Sequence, residues 1–244
     1  MTIIPEVFRG QSWLIAAMST RQGGVSRPPL GMNLSFNVGD DPEDVRTNRE
    51  RFFGGLGIRQ DELAIPGQVH GVNVREAAAA GPCPETDGLV TSKKRLFLCV
   101  TVADCVPVLL ADPVTKTVAA VHAGWRGTAG GIVERALEIL KGRFGVRPED
   151  LLAYVGPSAG TCCYAVGEDV ASRFPPEVVG RLGDQPTVDL KAANRGQLVG
   201  AGLLSQNIEI APFCTISDHE LFHSHRRDAA ASGRMMAVIG NTHV

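Results

Sequence analysis

Aromatic side chains are scarce in this sequence, 5% of 244 residues with two Trp and two Tyr. So few rings argue against a stacking platform for single-stranded nucleic acid. Net charge is also small: 24 Lys and Arg against 26 Asp and Glu leave −2. A balance this even provides no electrostatic footprint for duplex nucleic acid or an anionic membrane. No apolar run approaches the roughly 18 residues of a membrane-spanning helix. The opening MTIIPEVFRG has neither a basic start nor a long apolar stretch and does not read as a secretory signal. Lipidation motifs are absent at both ends. The expected compartment is therefore the cytoplasm, with no nucleic acid, membrane or protein partner. In that setting Cys83, Cys99, Cys105, Cys162, Cys163 and Cys214 are expected as free thiols.

No tandem repeat, low-complexity tract or linker divides the chain, so residues 1–244 are read as one domain. The loosest stretch, Ala77 to Thr86, reads as an internal loop. Strand candidates are Trp13–Met18, Leu96–Val102, Val106–Ala111, Thr117–Val121, Leu151–Val155, Ile208–Ala211 and Met235–Ile239. A polar-faced helix is expected over Pro42–Phe53. A second is expected from an N-cap at Thr128, with Ile132, Val133, Ala136, Leu137, Leu140 and Phe144 at helical spacing. A third follows Asp189 and reaches about Leu203. Strands and helices interleave without strict alternation, which predicts an α+β or mixed α/β fold with a mixed sheet.

Three segments carry chemistry: Gln68-Val69-His70-Gly71, Ala103-Asp104-Cys105, and His122-Ala123-Gly124-Trp125-Arg126-Gly127. Each sets a reactive side chain near the end of an apolar strand or beside a Gly-rich turn, where a rigid scaffold meets solvent. Two imidazoles and a thiol are a zinc ligand set with one position left open. The same residues are equally a thiolate–imidazole nucleophile pair. Spacing alone does not choose between them. Arg21 and Arg126, both next to Gly-rich turns, suit bidentate oxyanion binding, and Asn33, Arg226 and Arg227 are further candidates. Tandem Arg226-Arg227 reads as structural in at least one member. Asp104 is a candidate to orient a ligand histidine, and Tyr164 to line a pocket. Adjacent Cys162 and Cys163 read as packing residues at a turn.

The sequence resembles the YfiH family, also called multicopper polyphenol oxidase or laccase-domain proteins. The resemblance runs through NLSFNVGDD (33–41), PGQVHGVNV (66–74), TDGLVT (86–91), VADCVPVLLAD (102–112), AAVHAGWRGTAGGIV (119–133), GPSAGTCCYAVGEDV (156–170) and SHRRDAAASGR (224–234), in order along nearly the whole chain. It implies mixed β-sheets layered between helices, α/β/β/α. It also implies a zinc site at His70, Cys105 and His122, and a purine nucleoside phosphorylase. Substrates would be phosphate with adenosine, inosine or methylthioadenosine. An adenosine deaminase side activity, by water activated at the metal, is part of the same implication. Asn37 stands where the family usually has His, Ala159 and Ala165 where it has Ile and Glu, and His225, Ala229 and Ser232 are variants near the C-terminus. None of these touches a proposed ligand.

The laccase label meets a counting test. A coupled trinuclear copper site adds about eight His to a blue-copper site, and this chain has six His in all. Adventitious copper at the three-ligand site, with polyphenol oxidase activity, stays as an alternative. So does a metal-free hydrolase with Cys105 as nucleophile and His122 or His70 as base, acting on an amide such as a mis-made peptidoglycan precursor. A non-catalytic nucleoside or metal sensor is the third alternative.

Overall fold

The computed structural model describes residues 1–242. In chain order its strands are β1 (Thr2–Ile3), β2 (Leu14–Ser19), β3 (Leu63–Gly67), β4 (Val74–Glu76), β5 (Gly81–Pro84), β6 (Gly88–Thr91), β7 (Phe97–Val102), β8 (Val106–Ala111), β9 (Val118–Ala123), β10 (Leu152–Val155), β11 (Val179–Leu182), β12 (Gln185–Val188), β13 (Ile208–Ile210) and β14 (Met235–Asn241). The α-helices are α1 (Pro42–Gly55), α2 (Trp125–Ala129), α3 (Ile132–Phe144), α4 (Glu168–Ala171), α5 (Leu190–Gly200) and α6 (His225–Asp228).

Two six-stranded mixed sheets dominate. One runs β1-β2-β14-β7-β3-β5 and the other β13-β10-β8-β9-β6-β4. Period-2 alternation explains why their central strands read as unbroken apolar runs: both faces are buried. On β7, Leu98, Val100 and Val102 join the cluster between the sheets, while Phe97 and Cys99 face the α1 side. On β9, Val118 and Ala120 face the first sheet, and Ala119, Val121 and Ala123 face α3 and α5. The layers are therefore α1, first sheet, second sheet, then α3 with α5: the mixed α/β/β/α arrangement that the resemblance implies.

Helix ends follow local chemistry. Asp41 caps α1 by accepting from the Glu43 N–H at 2.8 Å, with Pro42 at the first helical position. Asp189 caps α5 by accepting from the Ala192 N–H at 2.9 Å. Thr128 is not the cap of α3. It lies within α2, and α3 starts after Gly131, whose φ of 76° no β-carbon favours. The stretch 77–86 is not all loop either, since it contains β5, paired in parallel with β3. Two prolines and a glycine hid that edge strand.

The connections position the chemistry. The chain passes from the first sheet to the second three times: from β3 to β4, from β5 to β6, and from β7 to β8. These crossings carry His70, Asp87 and Cys105.

Candidate active site

His122 lies near the end of β9 on the face toward the first sheet, 2% exposed. Cys105 is half-buried and His70 is exposed. The ligand atoms of all three lie within 4.8 Å of one another, and the two imidazole rings meet edge to face with centroids 4.9 Å apart. Gly124 lies tight beside them: a β-carbon there would come within 3.1 Å of Cys105 Sγ and 3.2 Å of His70 Cδ2, so any side chain would press on the cluster.

One buried carboxylate organises the cluster. Asp87 Oδ1 accepts from the His70 N–H at 2.9 Å and lies 2.8 Å from His122 Nδ1. Its Oδ2 accepts from the Gly71 N–H at 2.8 Å and the Val69 N–H at 3.2 Å. Burial alone would raise this carboxyl; bonds from His122, Gly71 and Val69 hold it below its ordinary value. With Nδ1 turned to Asp87, His122 keeps Nε2 for the thiol side. His70 has a φ of 59° and Asp104 a φ of 85°, a conformation that costs a residue with a β-carbon on the order of 1–3 kcal/mol. Asp87 holds the first in place. Asp104 is held by accepting from Thr215 Oγ1 at 2.7 Å and from the Arg226 N–H at 2.6 Å. Orienting the histidine therefore falls to Asp87, not Asp104, which fixes the backbone that presents Cys105. TDGLVT carried the signal, an Asp before a Gly at the start of a buried strand.

The electrostatics couple Cys105 to His122. Burial pushes the Cys105 thiol up, but the facing His122 charge and hydrogen bonds from both imidazoles outweigh it and draw the thiol down to about 6. Burial pushes His122 down, but the Cys105 charge and the Asp87 bond raise it to about 9. With no metal bound, a thiolate–imidazolium pair is therefore expected between about pH 6 and pH 9. Peptide-resolved alkylation of chelator-treated protein should show the Cys105 rate rising through pH 6; a rise only near the ordinary thiol value would contradict this pairing.

Around the cluster opens a cleft of about 670 Å³, ample for a nucleoside and an anion. Arg49, Arg126, Tyr164, Arg226 and Arg234 line it with the three ligand residues. Three guanidiniums lie over rings: Arg49 on Phe36 at 4.5 Å, Arg126 on Trp125 at 4.3 Å and Arg226 on Tyr164 at 4.9 Å. A larger cavity, about 880 Å³ beside α5, contains none of the cluster. Arg126 and Tyr164 therefore stand where a substrate would meet them. Arg21 does not line the cleft: its guanidinium donates to the carbonyls of His219 at 2.9 Å and Pro29 at 2.7 Å. Asn33 is fully buried and bonds Ser35, Asp40 and the Arg234 N–H, which makes it a brace behind the wall. Arg227 is structural, donating to the carbonyls of Thr215, Ile216 and Phe222. Arg49, on α1, and Arg234, just before β14, carry no local motif that marks them as cleft residues. Asn37 and His225, two of the departures from the resembled pattern, line the cleft, while Ala159 is packed in the core.

Residues 15–242 match the family described as multi-copper polyphenol oxidoreductase laccase. The chain belongs to this family. Among its relatives, a protein of Deinococcus radiodurans named purine nucleoside phosphorylase is 44% identical over 92% of this chain and 88% of its own. The purine nucleoside phosphorylase YlmD of Geobacillus stearothermophilus is 34% identical over 97% of this chain and 98% of its own. The crystal structure of YlmD from that organism superposes with a TM-score of 0.89 at 34% identity, over 98% of this chain and 94% of that one. A Bacillus licheniformis protein, YfiH, gives 0.90 at 33% identity over 95% of both. The fold is thus that of YlmD and YfiH. Despite the family's description, only two groups of three or more close His, Cys or carboxylate ligands occur among the described residues, and His70 and His122 are the only histidines in either. His219, His223 and His225, the other histidines among the described residues, belong to neither group. No helix is long and apolar enough to cross a membrane.

Proposed function

We propose that the cleft is the active site of a zinc-dependent purine nucleoside phosphorylase acting on adenosine, inosine and methylthioadenosine. The observation that carries the reading is the two-nitrogen, one-sulfur cluster opening into a cleft ringed by arginines. The donor set fits zinc: a thiol already poised as thiolate, one imidazole with its tautomer fixed by a carboxylate, and a glycine that leaves room beside the sulfur. His70, Cys105 and His122 would hold the ion, which supplies a Lewis acid to the cleft. Arg126 and Arg226 bind phosphate by charge-assisted hydrogen bonds and aim an oxygen at ribose C1′. Phosphate oxygen bonds to C1′ as the glycosidic C–N bond breaks, and the purine leaves with the bonding pair. Phe36, Trp125 and Tyr164, each under a guanidinium, make the wall against which the base would pack. The low-dielectric wall strengthens each guanidinium contact to the developing charges. The proposal extends to deamination of adenosine in the same cleft.

The test is product analysis with each nucleoside. Phosphate should be required for free base and ribose 1-phosphate, whereas inosine and ammonia from adenosine should need none. Base released equally without phosphate would sink phosphorolysis. Arg126→Ala and Arg226→Ala should each raise the KM for phosphate roughly ten- to hundredfold, since a charged hydrogen bond contributes about 1.5–3 kcal/mol. Zinc content should not change. Unaltered phosphate kinetics in both would move the anion site elsewhere.

A second reading draws on Asp87, His122 and Cys105 standing in the order orienter, base, nucleophile, the arrangement of a cysteine hydrolase. His70, a second imidazole against the same sulfur, has no role in such a triad. Its presence favours a metal.

A further inference from the structure

A second sulfur cluster lies outside the cleft. Cys162 and Cys163 sit in a tight turn whose Cys163 and Tyr164 N–H groups both donate to the Gly160 carbonyl, at 3.1 and 2.9 Å. Cys214 follows β13 and is held against this stretch by a parallel bridge to Ser158. Cys162 and Cys163 are not simply packing residues. Cys162 is exposed, Cys163 half-buried and Cys214 buried, all as free thiols. Their three sulfurs lie within 4.8 Å of one another, with Cys162 and Cys163 at 3.0 Å. None of the three lines the cleft.

Thiolates on one small ion, at metal–sulfur bonds of about 2.3 Å, stand roughly 3.8–4.0 Å apart. The observed sulfur separations bracket that distance. Gly160 packs directly against the group: a β-carbon there would lie 3.2 Å from Cys214 Cβ, with the Cys214 and Cys162 sulfurs at 3.4 and 3.7 Å. Its N–H also donates to Cys214 Sγ at 3.2 Å, which favours the thiolate. No imidazole or carboxylate belongs to the group. Structural zinc wants a fourth ligand, whereas an all-sulfur, three-donor set suits a soft ion such as Cu(I).

We propose that Cys162, Cys163 and Cys214 form a trithiolate site for a soft monovalent cation, Cu(I), separate from the cleft. Each thiol that binds as thiolate gives its proton to solvent, and no redox step is involved.

The test uses reduced, metal-free Cys105→Ser protein, so that the cleft cluster lacks its sulfur. Cu(I) is titrated anaerobically against a chromogenic Cu(I) chelator. One equivalent should stay with the protein, an ultraviolet thiolate-to-copper band should grow to that same end point, and mapped alkylation should find these three cysteines protected. Adding Cys214→Ser should release the copper to the chelator. Surface Cys162→Ser should do the same without the risk that a buried change disturbs folding. Copper lost by the parent, copper kept by both variants, a preference for zinc over Cu(I), or a Cys162–Cys163 disulfide in place of bound metal would each overturn the site.

Discussion

Cys105→Ser is expected to lose bound zinc and purine release together. Serine presents a hard, protonated oxygen where the site needs a thiolate, and it is a much poorer zinc ligand. The affinity loss should exceed the ~10–100-fold that removing a partner behind a ligand costs. Chelation of the unaltered protein should reproduce the loss, and zinc should restore the chelated protein but not the variant. The hydrolase reading expects otherwise. There, alkylation of Cys105 abolishes turnover and leaves a covalent adduct, while chelation leaves activity intact. The variant should keep its fold, because Cys105 is half-buried and serine is close to it in size.

The second large effect is expected at Asp87. This carboxylate is fully buried and serves three backbone N–H groups and His122 Nδ1. Asp87→Ala leaves His122 Nδ1 unpaired in the core while the part-buried N–H groups of residues 69–71 can turn to water, and a loss of roughly 3–5 kcal/mol in unfolding free energy is expected. Asp87→Asn separates packing from chemistry. It preserves shape, but its amide nitrogen cannot accept, so either His122 or a loop N–H loses its partner. Zinc affinity should fall about 10–100-fold, with a smaller drop in melting temperature than for alanine. His122 would also lose a charge that helps raise it toward 9, so the pair in metal-free protein should discharge at lower pH on its basic side. An Asp87→Asn protein with unchanged zinc affinity would remove Asp87 from the site.

The sequence made some of this architecture legible, for physical reasons that differ by element. Strands β7, β8, β9 and β14 are buried on both faces, so their uninterrupted apolar runs announced them. Helix α5 announced itself through its acidic cap, and α1 as a polar-faced stretch. Edge strands β4 and β5 are short and half-exposed and carry little periodic signal, and β5 was read as loop. The site divides along the same line. His70, Cys105 and His122 stood out because a ligand side chain beside a Gly-rich turn or a strand end is locally unusual. Asp87 did not, because it acts across a gap between segments that only the sheet crossings bring together, and Arg49 and Arg234 did not, because no local motif marks them as cleft residues. Arg21 shows the converse. A Gly-rich neighbourhood made it look like an anion ligand, yet the turn uses its guanidinium to tie carbonyls. The split of Arg226 from Arg227, one facing the cleft and one inside a carbonyl cage, needed the structure to say which was which.

The most direct measurement of the central claim is ribose 1-phosphate formation from inosine by one preparation in three states: chelated to metal-free, reconstituted with one equivalent of zinc, and reconstituted with copper. No product is expected without metal, with recovery at one zinc per chain and phosphate dependence throughout. Full-rate phosphorolysis by the metal-free protein would contradict the claim.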